Sequence, residues 1–223
     1  MSWPVTVLLG LWGVVTAIDL VSVPQGLLNR PVVAASVAGL IVGDLEIGLR
    51  IGVMLELFAL DVLPIGASRY PDYGPAAVSA VAWGAGGTWS LVGGPAVLGA
   101  LVVSGLAGRG MEVVRRFNAR RIRLLETALA AGDPGALRRL QAGGLAADLW
   151  RGTVIMVAGL AIARLTYTME PLPDDLAWPL GMVALAGGLA AALGGALRRA
   201  GAGPARWWLA LGLLAGSVVA WAL

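Results

Sequence analysis

Residues 39 to 72 read GLIVGDLEIGLRIGVMLELFALDVLPIGASRYPD, an otherwise membrane-grade apolar stretch interrupted by acids and glycines. That combination constrains the fold more than any other feature of the chain. Asp44, Gly48, Gly52 and Glu56 recur every four residues, so a helix over 45–63 carries them as one slowly drifting stripe. The stripe should face protein, because glycines admit a second helix backbone and a carboxylate turned toward lipid costs on the order of several kcal/mol. A break follows, with Pro64, Gly66, Pro71, Gly74 and Pro75 inside twelve residues. Non-helical backbone at membrane depth persists only when buried in protein or lining a cavity, and broken apolar segments beside polar groups mark a transporter's substrate site. A structural use of the same acids is the alternative: Glu56 pairing with Arg50 or Arg69, and Asp72 capping a helix.

With 58% of 223 residues apolar and 13% charged, the chain has more hydrophobic surface than a soluble core uses and is expected to cross the membrane several times. No basic residue precedes the N-terminal apolar run, so that segment is expected to be retained rather than cleaved. Cysteine, histidine and lysine are all absent. A disulfide framework and a thiol nucleophile are thereby excluded, as is a histidine or cysteine phosphoryl carrier. No triad, nucleotide loop or metal-ligand cluster is visible, so neither catalysis, a metal nor a cofactor is expected of this chain itself.

Sixteen arginines stand against thirteen acids, and their distribution is uneven. Nine arginines and four acids lie between Arg109 and Arg151; Glu170, Asp174 and Asp175 then meet no base, and Arg198, Arg199 and Arg206 follow. Alternation of basic, acidic and basic loops is what the positive-inside rule expects, with the first and third cytoplasmic.

Taken in order, residues 5 to 21 are close to the length of a span and carry Asp19 near the end. SVPQGLLNRP interrupts them, and the apolar run from Val32 to Val42 is short enough for a half-helix or a re-entrant arm. Gln25 and Asn29 in the interruption offer neutral hydrogen-bond groups of the kind that read sugar hydroxyls, with turn chemistry the favoured use of Asn29. Residues 76 to 108 carry no charge and are too long for one straight span; a kinked, tilted helix or two short arms joined near Gly93 both fit. The arm of residues 109–148 places Val114, Phe117, Leu124, Leu125 and Ala128 opposite an arginine-rich face, which suits a helix on an anionic leaflet or against a partner rather than nucleic acid. Asp133-Pro134 reads as an N-cap and first position of another helix. Apolar stretches at 152–169, 176–197 and Trp207 to Leu223 follow. Arg164 inside the first needs either to snorkel or to pair with an acid such as Asp19. The expected fold is therefore all-α and polytopic, with broken or re-entrant helices and a cytoplasmic amphipathic arm. It divides into an N-terminal membrane region (1–108), the arm (109–148) and a C-terminal membrane region (149–223).

Asp19, Gln25, Arg30-Pro31, Gly39, Gly43-Asp44, Gly48, Gly52, the LEL triplet 55–57, Pro64 to Ala67 and Pro71-Asp72, in this order and spacing, resemble the integral-membrane IIC subunit of the mannose family of the phosphoenolpyruvate-dependent sugar phosphotransferase system. The resemblance is strongest over 10–80 and extends loosely to the C-terminus. It implies a sugar-translocating subunit of the sorbose/mannose type in the bacterial cytoplasmic membrane. It further implies a hexose-like substrate, a IID-type membrane partner, a trimer of IIC–IID pairs, and cytoplasmic IIA and IIB subunits that carry the phosphoryl group. By motif position it implies Gln25, Glu56 and Asp72 as sugar or gate contacts, with Asp19 as a further candidate. A secondary transporter or channel for an anion, or a non-transporting scaffold of the same fold, are the rivals. An anion site would aim helix N-termini or arginines at its ligand.

Overall fold

The computed structural model describes residues 1–60, 62, 69–85, 93–166, 173–200, 207, 210–212 and 214. Among these there is no strand. The helices are α1 (Trp3–Asp19), α2 (Pro31–Val42), α3 (Leu45–Ala59), α4 (Tyr73–Gly84), α5 (Gly94–Leu124), α6 (Glu126–Ala130), α7 (Pro134–Thr166) and α8 (Asp174–Ala200).

At the centre stands α4, whose residues are all buried except Trp83. Its composition explains the position: Gly74, Ala76, Ala77, Ser79, Ala80 and Ala82 leave no bulky polar face, and a helix apolar all round is stable only when surrounded. Helices α1, α2, α3, α5 and α7 all pack on it. Trp83 reaches outward and donates its indole N–H to the Gly159 carbonyl of α7 at 2.8 Å.

The stripe of acids and glycines builds a helical hairpin. Gly43, at φ 81°, ends α2 in the left-handed region that glycine adopts at no steric cost. Asp44 then starts α3 by accepting the Ile47 N–H at 3.0 Å. A Cβ on Gly48 would lie 2.5 Å from the Ala35 carbonyl oxygen, and one on Gly52 would lie 2.9 Å from the Val32 Cα. The two backbones therefore touch where the sequence removes side chains, and the stripe faces α2. With twelve and fifteen residues, α2 and α3 are about 18 and 22 Å long, short of the roughly 30 Å hydrocarbon thickness. Neither is long enough to cross the hydrocarbon core by itself.

By contrast α5, α7 and α8 are long and apolar enough to cross. Their outward residues, including Leu106, Val113, Val154, Val157, Met182 and Val183, are exposed large hydrophobics, a surface suited to acyl chains and not to water. The chain is a multi-pass, all-α membrane protein. Helix α5 has 31 residues and α7 has 33, so each runs about 15 Å or more beyond the bilayer core. The arginine-rich arm consists of those overhanging ends with α6 between them, and positions 109 and 148 both fall inside continuous helices. Asp133 caps α7 as its sequence suggests, accepting the Gly135 N–H at 2.7 Å.

Neither arrangement open for 76–108 is found as such: α4 ends at Gly84 and is short, whereas α5 begins at Gly94 and runs on as a full-length helix to Leu124. The break at Pro64 and Gly66, most of the segment from Trp207 onward, and the acid Glu170 lie outside the described residues. Arg164 does not pair with Asp19. It donates to Thr6 Oγ1 at 3.2 Å and stacks 4.2 Å from the centre of the Trp3 ring, because α1 and α7 run antiparallel and Asp19 is at the opposite end of the pair.

A polar cavity at the arm end of the bundle

Helix α1 ends at Asp19, leaving its last carbonyls without helical partners. Three side-chain and backbone groups take them. Asn29 Nδ2 donates to the Thr16 oxygen at 2.9 Å, Arg151 Nη2 to the Ala17 oxygen at 2.8 Å, and the Ser22 N–H to the Ile18 oxygen at 2.9 Å. The loop of residues 20–30 is thus folded back under α1. Asp19 holds it there, its two oxygens accepting the Gly26 N–H at 2.6 Å and the Asn29 N–H at 3.0 Å.

Beneath the loop lies a charged cluster excluded from solvent: Asp72 is 0% exposed, Asp148 1% and Arg151 5%. Arg151 bonds Asp72 Oδ2 through Nη1 at 2.5 Å and Asp148 Oδ1 through Nε at 2.8 Å. Asp148 Oδ2 also accepts from Ser22 Oγ at 2.6 Å, and Asp72 Oδ1 from Asn29 Nδ2 at 2.7 Å. A buried charge persists only when paired and hydrogen-bonded, and here each one is. Asp72 occupies the N-cap position of α4, but its carboxylate makes no cap bond and turns to Arg151 and Asn29 instead.

Above the cluster the loop, the start of α2, the end of α3 and the Tyr70–Tyr73 segment line an open cavity of ≈ 410 Å³. Asp19, Gln25, Asn29, Arg30, Tyr70 and Tyr73 are its polar and aromatic lining. Gln25 and Leu27, both on that wall, have φ of 58° and 64°. Side-chain-bearing residues held in the left-handed region cost roughly 1 to 3 kcal/mol each and concentrate where a loop is shaped for a ligand. Gln25 itself donates to the Val21 carbonyl at 3.1 Å.

Of the four candidates from the sequence, Asp19 and Gln25 line the cavity, while Asp72 and Glu56 stand one residue behind it. Glu56 is ion-paired with Arg30, not Arg50 or Arg69, and accepts the Val32 N–H at 3.2 Å, closing the N-terminus of α2. Arg50 pairs within its own helix with Glu46, and Arg69 with Glu112. Glu56→Gln is accordingly expected to lower the melting temperature of the purified protein through a loss of about 1 to 2 kcal/mol, since a half-exposed ion pair is weak but a carboxylate at a helix N-terminus is not. A drop of several kcal/mol would place Arg30 in a drier setting than the structure gives it.

Asn29, for which the sequence favoured turn chemistry, lines the cavity, and Arg30, Tyr70, Tyr73 and Arg151 were not singled out as site residues by the sequence. For Arg151 a signal existed, an arginine with an acid three residues before it at the edge of an apolar run. For Tyr70 and Tyr73 it was their place flanking Pro71-Asp72.

Over residues 4–200 the chain matches the family described as the PTS system sorbose-specific IIC component. The chain belongs to that family. This IIC-family chain is 48% identical over 44 residues to the sorbose-specific EIIC component of Klebsiella pneumoniae, covering 20% of this chain and 16% of that protein. It is 41% identical over 54 residues to the fructose permease IIC component of Bacillus subtilis (strain 168), covering 24% and 20%. Each matched stretch thus spans about a fifth or less of the relative. Two solved structures share the fold at 18% identity, each covering 97% of this chain and 87% of the other. One is described as a structure of a membrane protein (TM-score 0.74), the other as the mannose transporter ManYZ in complex with microcin E492 (TM-score 0.58).

Proposed function

We propose that this IIC-family chain is the sugar-translocating subunit of a mannose-family phosphotransferase system in the bacterial cytoplasmic membrane. It binds a hexose-like sugar in the 410 Å³ cavity and passes it to a IIB subunit for phosphorylation. The lining of the cavity carries the assignment. Asp19, Asn29 and Gln25 supply acceptors, Arg30, Gln25 and the tyrosine hydroxyls supply donors, and the rings of Tyr70 and Tyr73 offer apolar faces. A neutral polyol, which both donates and accepts from every hydroxyl, fits such a wall. An anion does not: the α2 N-terminus that would receive it already holds Glu56, Arg30 is paired with the same carboxylate, and the cluster below contains two acids for one arginine.

Within the site Asp19 and Gln25 touch the sugar, while Asp72 and Glu56 hold the wall and the entry to α2, in the manner of gate residues. Catalysis belongs to the IIA and IIB partners, because the chain has no histidine or cysteine to carry phosphate. A IID-type subunit completes the membrane unit, in a trimer of IIC–IID pairs, and membrane lipid covers the remaining apolar faces. The fold shared with a mannose transporter of two named components supports that assembly. Co-expression with a IID-type subunit should yield a stable complex in detergent that binds a radiolabelled hexose. A chain that stays monodisperse alone and ignores the partner would count against the assignment.

The arm should face the cytoplasm, where its arginines meet anionic lipid and IIB, and the acidic residues of 170–175 the opposite side. A cysteine replacing exposed Asp175 is expected to react with an impermeant thiol reagent in intact cells, and one replacing exposed Arg120 only after the cells are opened. The reverse pattern inverts the topology.

A further inference from the structure

We propose that Arg151 is a positioning residue for the cavity: acting through Asp72, it fixes the Asn29 amide so that only the carbonyl oxygen faces the sugar, and Asn29 thereby demands one hydroxyl as a donor. The proposal rests on the sugar-binding assignment above.

An asparagine amide has two orientations that differ only in which end donates. At Asn29 both neighbours are acceptors, the Thr16 carbonyl at 2.9 Å and Asp72 Oδ1 at 2.7 Å, so both N–H groups point inward. A flipped amide would set its oxygen against a carboxylate and a carbonyl. The Asn29 backbone N–H is also taken, by Asp19 Oδ2 at 3.0 Å. What remains for the cavity, which Asn29 lines, is Oδ1, an acceptor only.

Asp72 keeps that orientation only while its own carboxylate stays charged and aimed. Nη1 of Arg151 holds it at 2.5 Å, and the guanidinium plane is in turn set by Asp148 on Nε and the Ala17 carbonyl on Nη2. Gly110 of α5 leaves room for the arginine stem, since a Cβ there would lie 3.3 Å from Arg151 Cγ. None of Arg151, Asp72 and Asp148 lines the cavity. Their effect on the ligand is transmitted through Asn29. A lysine at 151 would keep the charge but not the three-way fork, because an ammonium is a single point with no fixed plane.

The test uses the purified complex with its IID-type partner, radiolabelled mannose, fructose and sorbose as probes, and the singly deoxygenated analogues of whichever binds. One analogue, lacking the hydroxyl that donates to Asn29, is expected to bind about tenfold more weakly than its parent, a discrimination typical of one unmade hydrogen bond to a polar site. Asn29→Ala should reduce that ratio to within about twofold by deleting the acceptor. Arg151→Lys and Asp72→Asn should do the same, by letting the amide turn, while the variants still assemble and bind the parent sugar. A purely structural Arg151 would instead weaken all analogues in parallel, or leave neither variant able to assemble, and either outcome overturns the proposal. So does a ratio that survives in both variants while Asn29→Ala abolishes it. If no probe binds the wild-type complex, the sugar-binding assignment fails first.

Discussion

Arg151→Met is expected to destabilise the purified protein by about 3 to 5 kcal/mol, the cost of leaving the partners of a buried ion pair without their counter-charge. Two carboxylates depend on this guanidinium, and both are within 1% of complete burial. Methionine matches much of the arginine stem in length and leaves the packing against Gly110 largely intact. The loss therefore measures charge and hydrogen bonding rather than a cavity. Arg120→Met on the exposed arm is the control, and should change stability by no more than about 0.5 kcal/mol. Thermal unfolding followed by size-exclusion chromatography reads both. An Arg151→Met protein as stable as the control would mean that the cluster is wetter than its geometry allows.

Asp19→Asn is expected to have the second largest effect, concentrated in the loop rather than the helices. The carboxylate receives two backbone N–H groups, from Gly26 and Asn29. An amide keeps one acceptor and turns a donor toward the other N–H, so about 1.5 to 3 kcal/mol is lost, as for a hydrogen bond to a charged group. Residues 20–30 should then exchange their amide hydrogens faster, with the exchange of α4 unchanged, and hexose affinity should fall by about tenfold or more. Faster exchange throughout α4 would show Asp19 to be part of the central packing instead.

Much of the fold was legible because it depends on spacing. The four-residue repeat from Asp44 to Glu56 is a statement about one helix face, and that face packs on α2. The half-length run of 32–42 and the Asp133-Pro134 start were readable for the same reason. The arm was visible as a change in composition, yet α5 and α7 pass through its ends without interruption, since arginines extend a helix as readily as leucines do.

The site was less legible because it is made by contacts far apart in the chain. Asp72 and Arg151 are separated by 79 positions, and Ser22 and Asp148 by 126. Asn29 in a loop between proline and glycine has the composition of a turn, and only its two acceptor neighbours set its orientation. Glu56 shows the opposite case. Its position inside an apolar helix drew attention to it, but the partner was the arginine preceding α2 rather than the nearer candidates on either side.

We propose that this chain moves a neutral hexose through the cavity beneath the 20–30 loop. The most direct test is accumulation of radiolabelled mannose, fructose and sorbose by cells lacking their own carriers of these sugars and expressing this chain with a IID-type partner. The assay is run with and without the IIA and IIB subunits. At least one sugar should accumulate as its phosphate only when all subunits are present, and Asn29→Ala or Asp19→Asn should reduce the rate by about tenfold. Phosphate ester formed equally without this chain, or uptake of an anion in preference to any of the three sugars, would contradict it.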